Sequence, residues 1–128
     1  MFEIVFHRAG ASDKCGSLYT IGSGNGSHLG DSGQEIDKVD VVALDEDIDE
    51  RVTFIKMDIE GAEKAALQGC QKHILEDAPR LAICVYHKLG DVWWVPQYVK
   101  SLNPGYKFYL RHHYPYGYSE TVMYCLPR

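Results

Sequence analysis

The spacing of apolar positions changes near residue 60. Before it, short alternating or β-branched runs predict strands, at Phe2–His7, Gly16–Ile21, Val39–Leu44 and Val52–Met57. From Glu60 the period lengthens to about 3.6 residues, which predicts an amphipathic helix ending at Asp77-Ala78-Pro79. Its apolar side carries Ala62, Ala65, Ala66, Cys70, His73 and Ile74.

The remaining chain continues with alternating element types. Leu81–Tyr86 is almost wholly apolar, as buried parallel strands are. Asp91 can cap a further helix whose regular part is predicted over Pro96–Leu102, since proline suits a first turn. Tyr106–His112 and Thr121–Leu126 then predict an antiparallel hairpin. The order predicts an α/β fold, a layered sheet with a parallel centre and an antiparallel C-terminal hairpin.

Length and glycine content refine this organisation. The chain has 128 residues, enough for one hydrophobic core, so residues 1–128 are expected to form a single domain. The segment 22–34 is rich in glycine and serine and predicts a flexible loop. Its GSGNG run resembles a nucleotide-binding turn, but no helical pattern follows to supply an anion-binding N-terminus.

Charge and cysteine content narrow the partners and the compartment. The net charge is −5, and residues 31–63 hold twelve acids against three bases, so no nucleic-acid partner is expected. The apolar runs are too short to cross a membrane, and the first residues lack the pattern of a secretory signal. The expected location is therefore cytoplasmic. The four cysteines are scattered without a CxxC pair, which favours reduced thiols.

One candidate site follows the strand Val52–Met57. Asp58, Glu60 and Gly61 come between that strand and a predicted helix, at the carboxyl edge where open α/β sheets bind ligands. Gly61 would allow a ligand to approach the backbone closely. The alternative is structural: Asp58 caps the helix, while Glu60 and Glu63 complement its dipole.

A second candidate follows the next strand. His87 lies just beyond Leu81–Tyr86, so it is expected at the same sheet edge as Asp58. A histidine beside carboxylates can act as a general base. His87, Asp58 and Asp91 are also suitable metal ligands, which is a weaker alternative. The structural alternative is a histidine that holds a loop and an aspartate that caps a helix.

Several motifs together carry a family resemblance. The runs FIKMDIEGAEKAALQG, PRLAICVYHKLGDVWWVP, YKFYLRHH and ETVMYCLP resemble the C-terminal half of the FkbM family of S-adenosylmethionine-dependent methyltransferases. They occur in the family's order and at its spacing. RAGASDKCG and VVALDEDI are more loosely similar to earlier family segments.

The resemblance implies a fold, a cofactor and a site. It implies part of a Rossmann-like class I methyltransferase sheet that binds S-adenosylmethionine and methylates an oxygen of a small molecule or sugar. The residues that correspond to the cofactor-binding region are Arg8, Ala9, Gly10, Glu60 and Gly61. Those that correspond to the methyl-transfer region are Asp58, His87 and Asp91, with His87 or Asp58 as the base. The alternative is a non-catalytic interaction or assembly module on the same fold.

The resemblance also implies an unpaired sheet edge. The family's first two strands would precede residue 1, so the chain is expected to be truncated and to encode only part of the cofactor pocket, which leaves open whether it is active alone. Without those strands Val52–Met57 would lie bare at an edge. Either the N-terminal strands of the chain fill the vacant place or another chain pairs there, and we expect the second, as a homodimer or as a pairing with the missing N-terminal half.

Overall fold

A computed structural model describes residues 3–22, 27–33 and 37–128. Two four-stranded sheets and four helices occur in these ranges. The first sheet contains β1 (Gly10–Ala11), β2 (Gly16–Ile21), β3 (His28–Gly30) and β4 (Lys38–Val42). The elements that follow are α1 (Leu44–Asp47), β5 (Phe54–Met57), α2 (Glu63–Gln68), α3 (Gln71–Glu76), β6 (Arg80–Cys84), α4 (Asp91–Leu102), β7 (Lys107–His112) and β8 (Thr121–Leu126).

The first sheet differs from the expectation for the N-terminal residues. Its order is β1-β4-β2-β3, with β1 and β4 parallel and the other pairs antiparallel. The strand predicted at Phe2–His7 is wrong for residues 3–7, which pair with no described strand, and Phe2 lies outside the described residues. Alternation makes a segment suitable for a sheet, but a strand also needs a hydrogen-bonded neighbour. That neighbour, Val41 and Val42, is met only at Gly10 and Ala11.

The glycine-rich segment is not a loop throughout. Within residues 22–34, β3 pairs with the C-terminal half of β2, in the register Tyr19↔Gly30 to Ile21↔His28. Residues 23–26 and 34 of the segment lie outside the described residues. A three-residue strand is too short to show a period along the sequence, which is why the composition concealed it.

The second sheet contains the predicted parallel pair and the predicted hairpin. Its order is β5-β6-β8-β7, with β5 and β6 parallel and the other two pairs antiparallel. The α/β class, a parallel strand pair and the C-terminal hairpin are therefore confirmed. The parallel pair β5-β6 lies at one edge of this sheet rather than at its centre, and the described strands form two sheets rather than one. Strand β5 is an edge of this sheet, and Phe54 on it is 56% exposed.

The long helix predicted from Glu60 is two short helices. Helix α2 begins at Glu63, and Gly69 and Cys70 separate it from α3. A Cβ atom on Gly69 would lie 1.9 Å from the Ser12 carbonyl oxygen, and the Gly69 carbonyl accepts a hydrogen bond from Asp45 N–H at 2.8 Å. The break between α2 and α3 therefore lies where Ser12 and Asp45, which flank strands of the first sheet, contact Gly69.

Helix α4 is longer than predicted. It runs over Asp91–Leu102 with Pro96 in its interior, and Gly90 is the residue that precedes it. The expectations that Asp91 caps the helix and that Pro96 opens it are both wrong. Proline cannot donate to the carbonyl four residues earlier, but packing of the apolar face outweighs that loss. Val95 and Val99 on this face are fully buried.

One core connects the helices to the second sheet. Its buried side chains come from β5, β6, β8 and the three later helices, and include Leu67, Ile74, Leu81, Ile83, Val95, Val99, Met123 and Cys125. A smaller cluster on the opposite sheet face contains Ala82, Cys84 and Val122 beneath Tyr86 and Tyr124. No helix in the described ranges is long and apolar enough to span a bilayer.

Candidate active site

The candidate site lies where β5 and β6 end side by side. Met57 and Ile83 are register partners, so the chain leaves both strands at the same sheet edge. Asp58 follows β5 directly, and His87 lies three residues after β6. The structure places His87 Nε2 3.6 Å from Asp58 Oδ1.

Glu63, at the start of α2, contacts the other ring nitrogen of His87. Its Oε1 lies 2.8 Å from His87 Nδ1 and also accepts a hydrogen bond from Ile59 N–H at 3.0 Å. Glu63 is fully buried. As a carboxylate, it selects the imidazole tautomer in which Nδ1 carries the proton. Nε2 then has a lone pair that points away from Glu63.

His87 Nε2 has no hydrogen-bond partner among the described residues. It is buried, and the His87 side chain is only 10% exposed. Besides Asp58 Oδ1 at 3.6 Å, Glu60 Oε2 lies 3.5 Å away. Both separations exceed those of ordinary N–H···O hydrogen bonds. Two carboxylates therefore face this nitrogen without bonding to it.

The turn between β5 and α2 holds these carboxylates in place. Glu60 and Gly61 have φ angles of +54° and +91°, the left-handed region that favours glycine. A Cβ atom on Gly61 would lie 3.1 Å from Lys88 Cε. A side chain at position 61 would therefore crowd Lys88 at the wall of a cavity of about 290 Å³, lined by His28, Leu29, Glu60, Gly61, Ala62, His87 and Lys88.

Tyr86 fixes the position of Asp58. Its hydroxyl donates to Asp58 Oδ1 at 2.9 Å, and its ring centroid lies 4.1 Å from that of His87. Burial, together with this bond, raises the pKa of the Tyr86 hydroxyl. The hydroxyl therefore stays protonated and remains a donor to the carboxylate at neutral pH.

Asp91 is a further buried carboxyl that interacts electrostatically with Glu63 and His87. It is 4% exposed, and its Oδ2 has no hydrogen-bond partner among the described residues. Burial, and next the charge of Glu63, raise the pKa of the Asp91 carboxyl. The carboxylates within 4 Å of the His87 ring nitrogens, in the described ranges, are those of Asp58, Glu60 and Glu63.

The other predicted site residues lie apart. Arg8 lines a separate groove of about 570 Å³ with Ser17, Lys38, Val39 and Asp40. Ala9 lines neither cavity, and Gly10 belongs to β1. A Cβ atom on Gly10 would lie 3.5 Å from Leu29 Cδ1, and Leu29 is in the wall of the His87 cavity. Glu60, Gly61 and His87 are thus the predicted residues that line one cavity.

Sequence reasoning missed the contribution of Glu63. The glutamate was interpreted as a helix-dipole residue, whereas it is fully buried against His87. The available signal was its position on the apolar side of the predicted helix, three residues before Ala66 and seven before Cys70. An acid at such a position needs a buried partner.

A histidine and carboxylates at the carboxyl edge of parallel strands define the class as an α/β protein with an enzyme-like site. The methyltransferase FkbM domain family matches residues 3–113, and the chain belongs to this family. The chain is similar to the crystal structure of methyltransferase FkbM from Methylobacillus flagellatus KT, with 35% identity and a TM-score of 0.75. That match covers 93% of this chain and 27% of the other. No curated protein matches the chain.

Proposed function

We propose that the chain takes part in S-adenosylmethionine-dependent methyl transfer to an oxygen of a small molecule or sugar. Membership of the FkbM methyltransferase family supports methyl transfer. The observation that carries the proposal is His87, held at Nδ1 by buried Glu63 while Nε2 faces Asp58 and Glu60. Such a cluster suits the activation of an acceptor hydroxyl.

The cavity beside His87 has a volume suited to one part of the reacting molecules. At about 290 Å³ it lies near the lower limit of small-molecule sites, roughly 300–1,000 Å³. It can take an acceptor group or one end of the cofactor. The Glu60 carboxylate can accept hydrogen bonds from the cofactor's ammonium or hydroxyl groups, and Gly61 lets them approach. Arg8 lines the separate groove and does not contribute to this cavity.

When bound, S-adenosylmethionine supplies a methyl group on a positively charged sulfur. The protein's part is then to orient the acceptor and to promote loss of its hydroxyl proton, since the deprotonated oxygen is the better nucleophile. When no metal ion is bound to His87, the group available to accept that proton is the Nε2 lone pair of its ring. Glu63 would stabilise the imidazolium that forms, because its carboxylate lies 2.8 Å from Nδ1.

Methyl transfer by the purified chain tests this proposal. Methyl groups from labelled S-adenosylmethionine are counted on a panel of sugars and hydroxylated small molecules, and S-adenosylhomocysteine binding is measured by calorimetry. His87→Gln is expected to lower the rate by about 10²–10⁴-fold. His112→Gln, an exposed histidine on β7, is the matched control and should leave the rate unchanged.

The opposite outcome identifies the alternative function. If the folded chain neither binds S-adenosylhomocysteine at millimolar concentration nor methylates any acceptor, the proposal is wrong. The chain would then be an interaction or assembly module on a methyltransferase fold.

A further inference from the structure

The surroundings of His87 Nε2 match one further kind of ligand. The nitrogen is buried and has no hydrogen-bond partner in the described ranges, with one oxygen each of Asp58 and Glu60 at 3.6 and 3.5 Å. Nδ1 is already bonded to Glu63, so Nε2 is the ring atom left for a further partner, and the two carboxylates face it.

The two separations measured from His87 Nε2 suit ligands of a single metal ion. Two ligands about 2.1 Å from one ion lie about 3.0 Å apart at a right angle and about 3.4 Å apart at a tetrahedral angle. The observed separations of 3.5 and 3.6 Å are wider by a few tenths of an ångström. Glu60 is 45% exposed at its side chain, so it can adjust.

The supporting contacts also have the pattern of a metal site. Histidine ligands usually donate their other ring N–H to a carboxylate, as His87 does to Glu63. Ligating carboxylates are themselves hydrogen-bonded, as Asp58 is by Tyr86. Asp58, Glu63 and His87 each have one potential ligand atom within 4.8 Å of the others, so the carboxylate that positions the imidazole belongs to the same compact group.

We propose that His87 Nε2, Asp58 and Glu60 bind one divalent transition-metal ion, with Glu63 as the positioning residue for the imidazole. A mixed imidazole and carboxylate set favours Mn²⁺, Fe²⁺ or Zn²⁺ over Mg²⁺ and Ca²⁺, which prefer oxygen ligands alone. With three protein ligands the ion has open positions that water or an acceptor oxygen can take.

This inference deepens the proposed function, and the role of the metal ion in methyl transfer rests on that function. Nε2 cannot bind a proton and a metal ion together. In the loaded protein the ion replaces the imidazole as the activating group: an acceptor hydroxyl bound to it loses its proton more easily, and that proton passes to solvent. Asp58, Glu60 and His87 then act as ligands.

Metal binding is tested on the chain after EDTA treatment and dialysis. Calorimetry with Mn²⁺ and Zn²⁺ should give one ion per chain, and Co²⁺ should produce visible d–d absorption. His87→Gln and Glu60→Gln should each weaken binding at least tenfold, and Glu63→Gln by about 10–100-fold through loss of orientation. Glu60 is exposed, so Glu60→Gln is expected to leave the fold intact, which circular dichroism checks. His112→Gln is the control.

Two results separate this inference from the proposed function. One ion per chain that is lost in His87→Gln and Glu60→Gln supports the metal site even if no acceptor is methylated. Absence of binding at millimolar metal, or binding that is unchanged in both variants, overturns the metal site. Methyl transfer that persists at full rate in EDTA overturns the ion's part in the reaction and leaves the proposed function standing.

Discussion

The Glu63 oxygen that contacts His87 Nδ1 also accepts the backbone N–H of Ile59, so one buried atom joins the start of α2 to the ends of both parallel strands. Glu63→Ala leaves both donors without a partner in a buried site. We expect the free energy of unfolding to fall by about 3 kcal/mol. Glu76→Ala, at an exposed helical glutamate, should change it by less than about 0.5 kcal/mol. Urea unfolding measures both, and equal losses would contradict the structural role of Glu63.

A second buried histidine gives the fold a pH dependence. His73 Nδ1 lies 2.7 Å from Asp77 Oδ2, which also accepts the backbone N–H of Val52 at 3.0 Å. Burial alone would lower the pKa of His73, but the bond to Asp77 and a backbone carbonyl raise it above 6.5. The Val52 N–H, followed by His73, holds the pKa of Asp77 below 3.8.

The directions of the His73 and Asp77 pKa shifts define the pH range in which this pair stabilises the fold. The stabilisation from His73 is complete below its unfolded pKa and is lost as the pH rises through the raised folded value. That from Asp77 is present above its unfolded pKa and is lost as the pH falls through the lowered folded value. The stability difference between wild type and His73→Gln should therefore be greatest between about pH 4 and 6.5. His112→Gln should show no such maximum, and a flat difference for His73→Gln would reject this account.

Gly69 is expected to tolerate no side chain. The added Cβ would meet the Ser12 carbonyl at 1.9 Å, and backbone cannot rotate away as a flexible side chain can. Gly69→Ala should lower the free energy of unfolding by about 3 kcal/mol through overpacking. Gly90→Ala is the control, because a Cβ there meets nothing within 4 Å. Equal urea midpoints for the two variants would contradict the close packing of Gly69 against Ser12.

Cysteine reactivity should follow burial. Burial raises the pKa of Cys70, Cys84 and Cys125 to about 12 each, with nearby acids adding to the shift at the first two. Cys15 is exposed. Iodoacetamide at pH 8 should therefore alkylate Cys15 in the folded chain and reach the other three only after denaturation. Mass spectrometry of the peptides identifies the alkylated cysteines, and early labelling of Cys125 would contradict the burial of its thiol.

The sequence was most informative where a hydrophobic pattern was long, or where two neighbouring parallel strands end at the same edge of the sheet. The existence of β5, β6, β7 and β8, and the β7-β8 hairpin, followed from their apolar and alternating runs. The approach of Asp58 to His87 followed from the common edge of parallel strands. By contrast, the break at Gly69 and the failure of residues 3–7 to form a strand depend on contacts with distant segments. Glu63 shows the same limit, because its role depends on a histidine 24 residues away.

Among the described strands β5 pairs with β6 alone, and its other edge is expected to associate with a further chain. Phe54 on this edge is 56% exposed beside a groove of about 220 Å³ lined by Leu44, Ile48, Val52, Ile55, Lys56 and His73. Unpaired apolar edges attract further strands, so we expect light scattering at micromolar concentration to give a mass above 14.5 kDa. Phe54→Glu should restore the monomer mass, because a charge on the edge opposes pairing. Tyr116→Glu, at a similarly exposed aromatic residue away from the edge, should not. A clean 14.5 kDa particle for the unmodified chain would reject association by this edge.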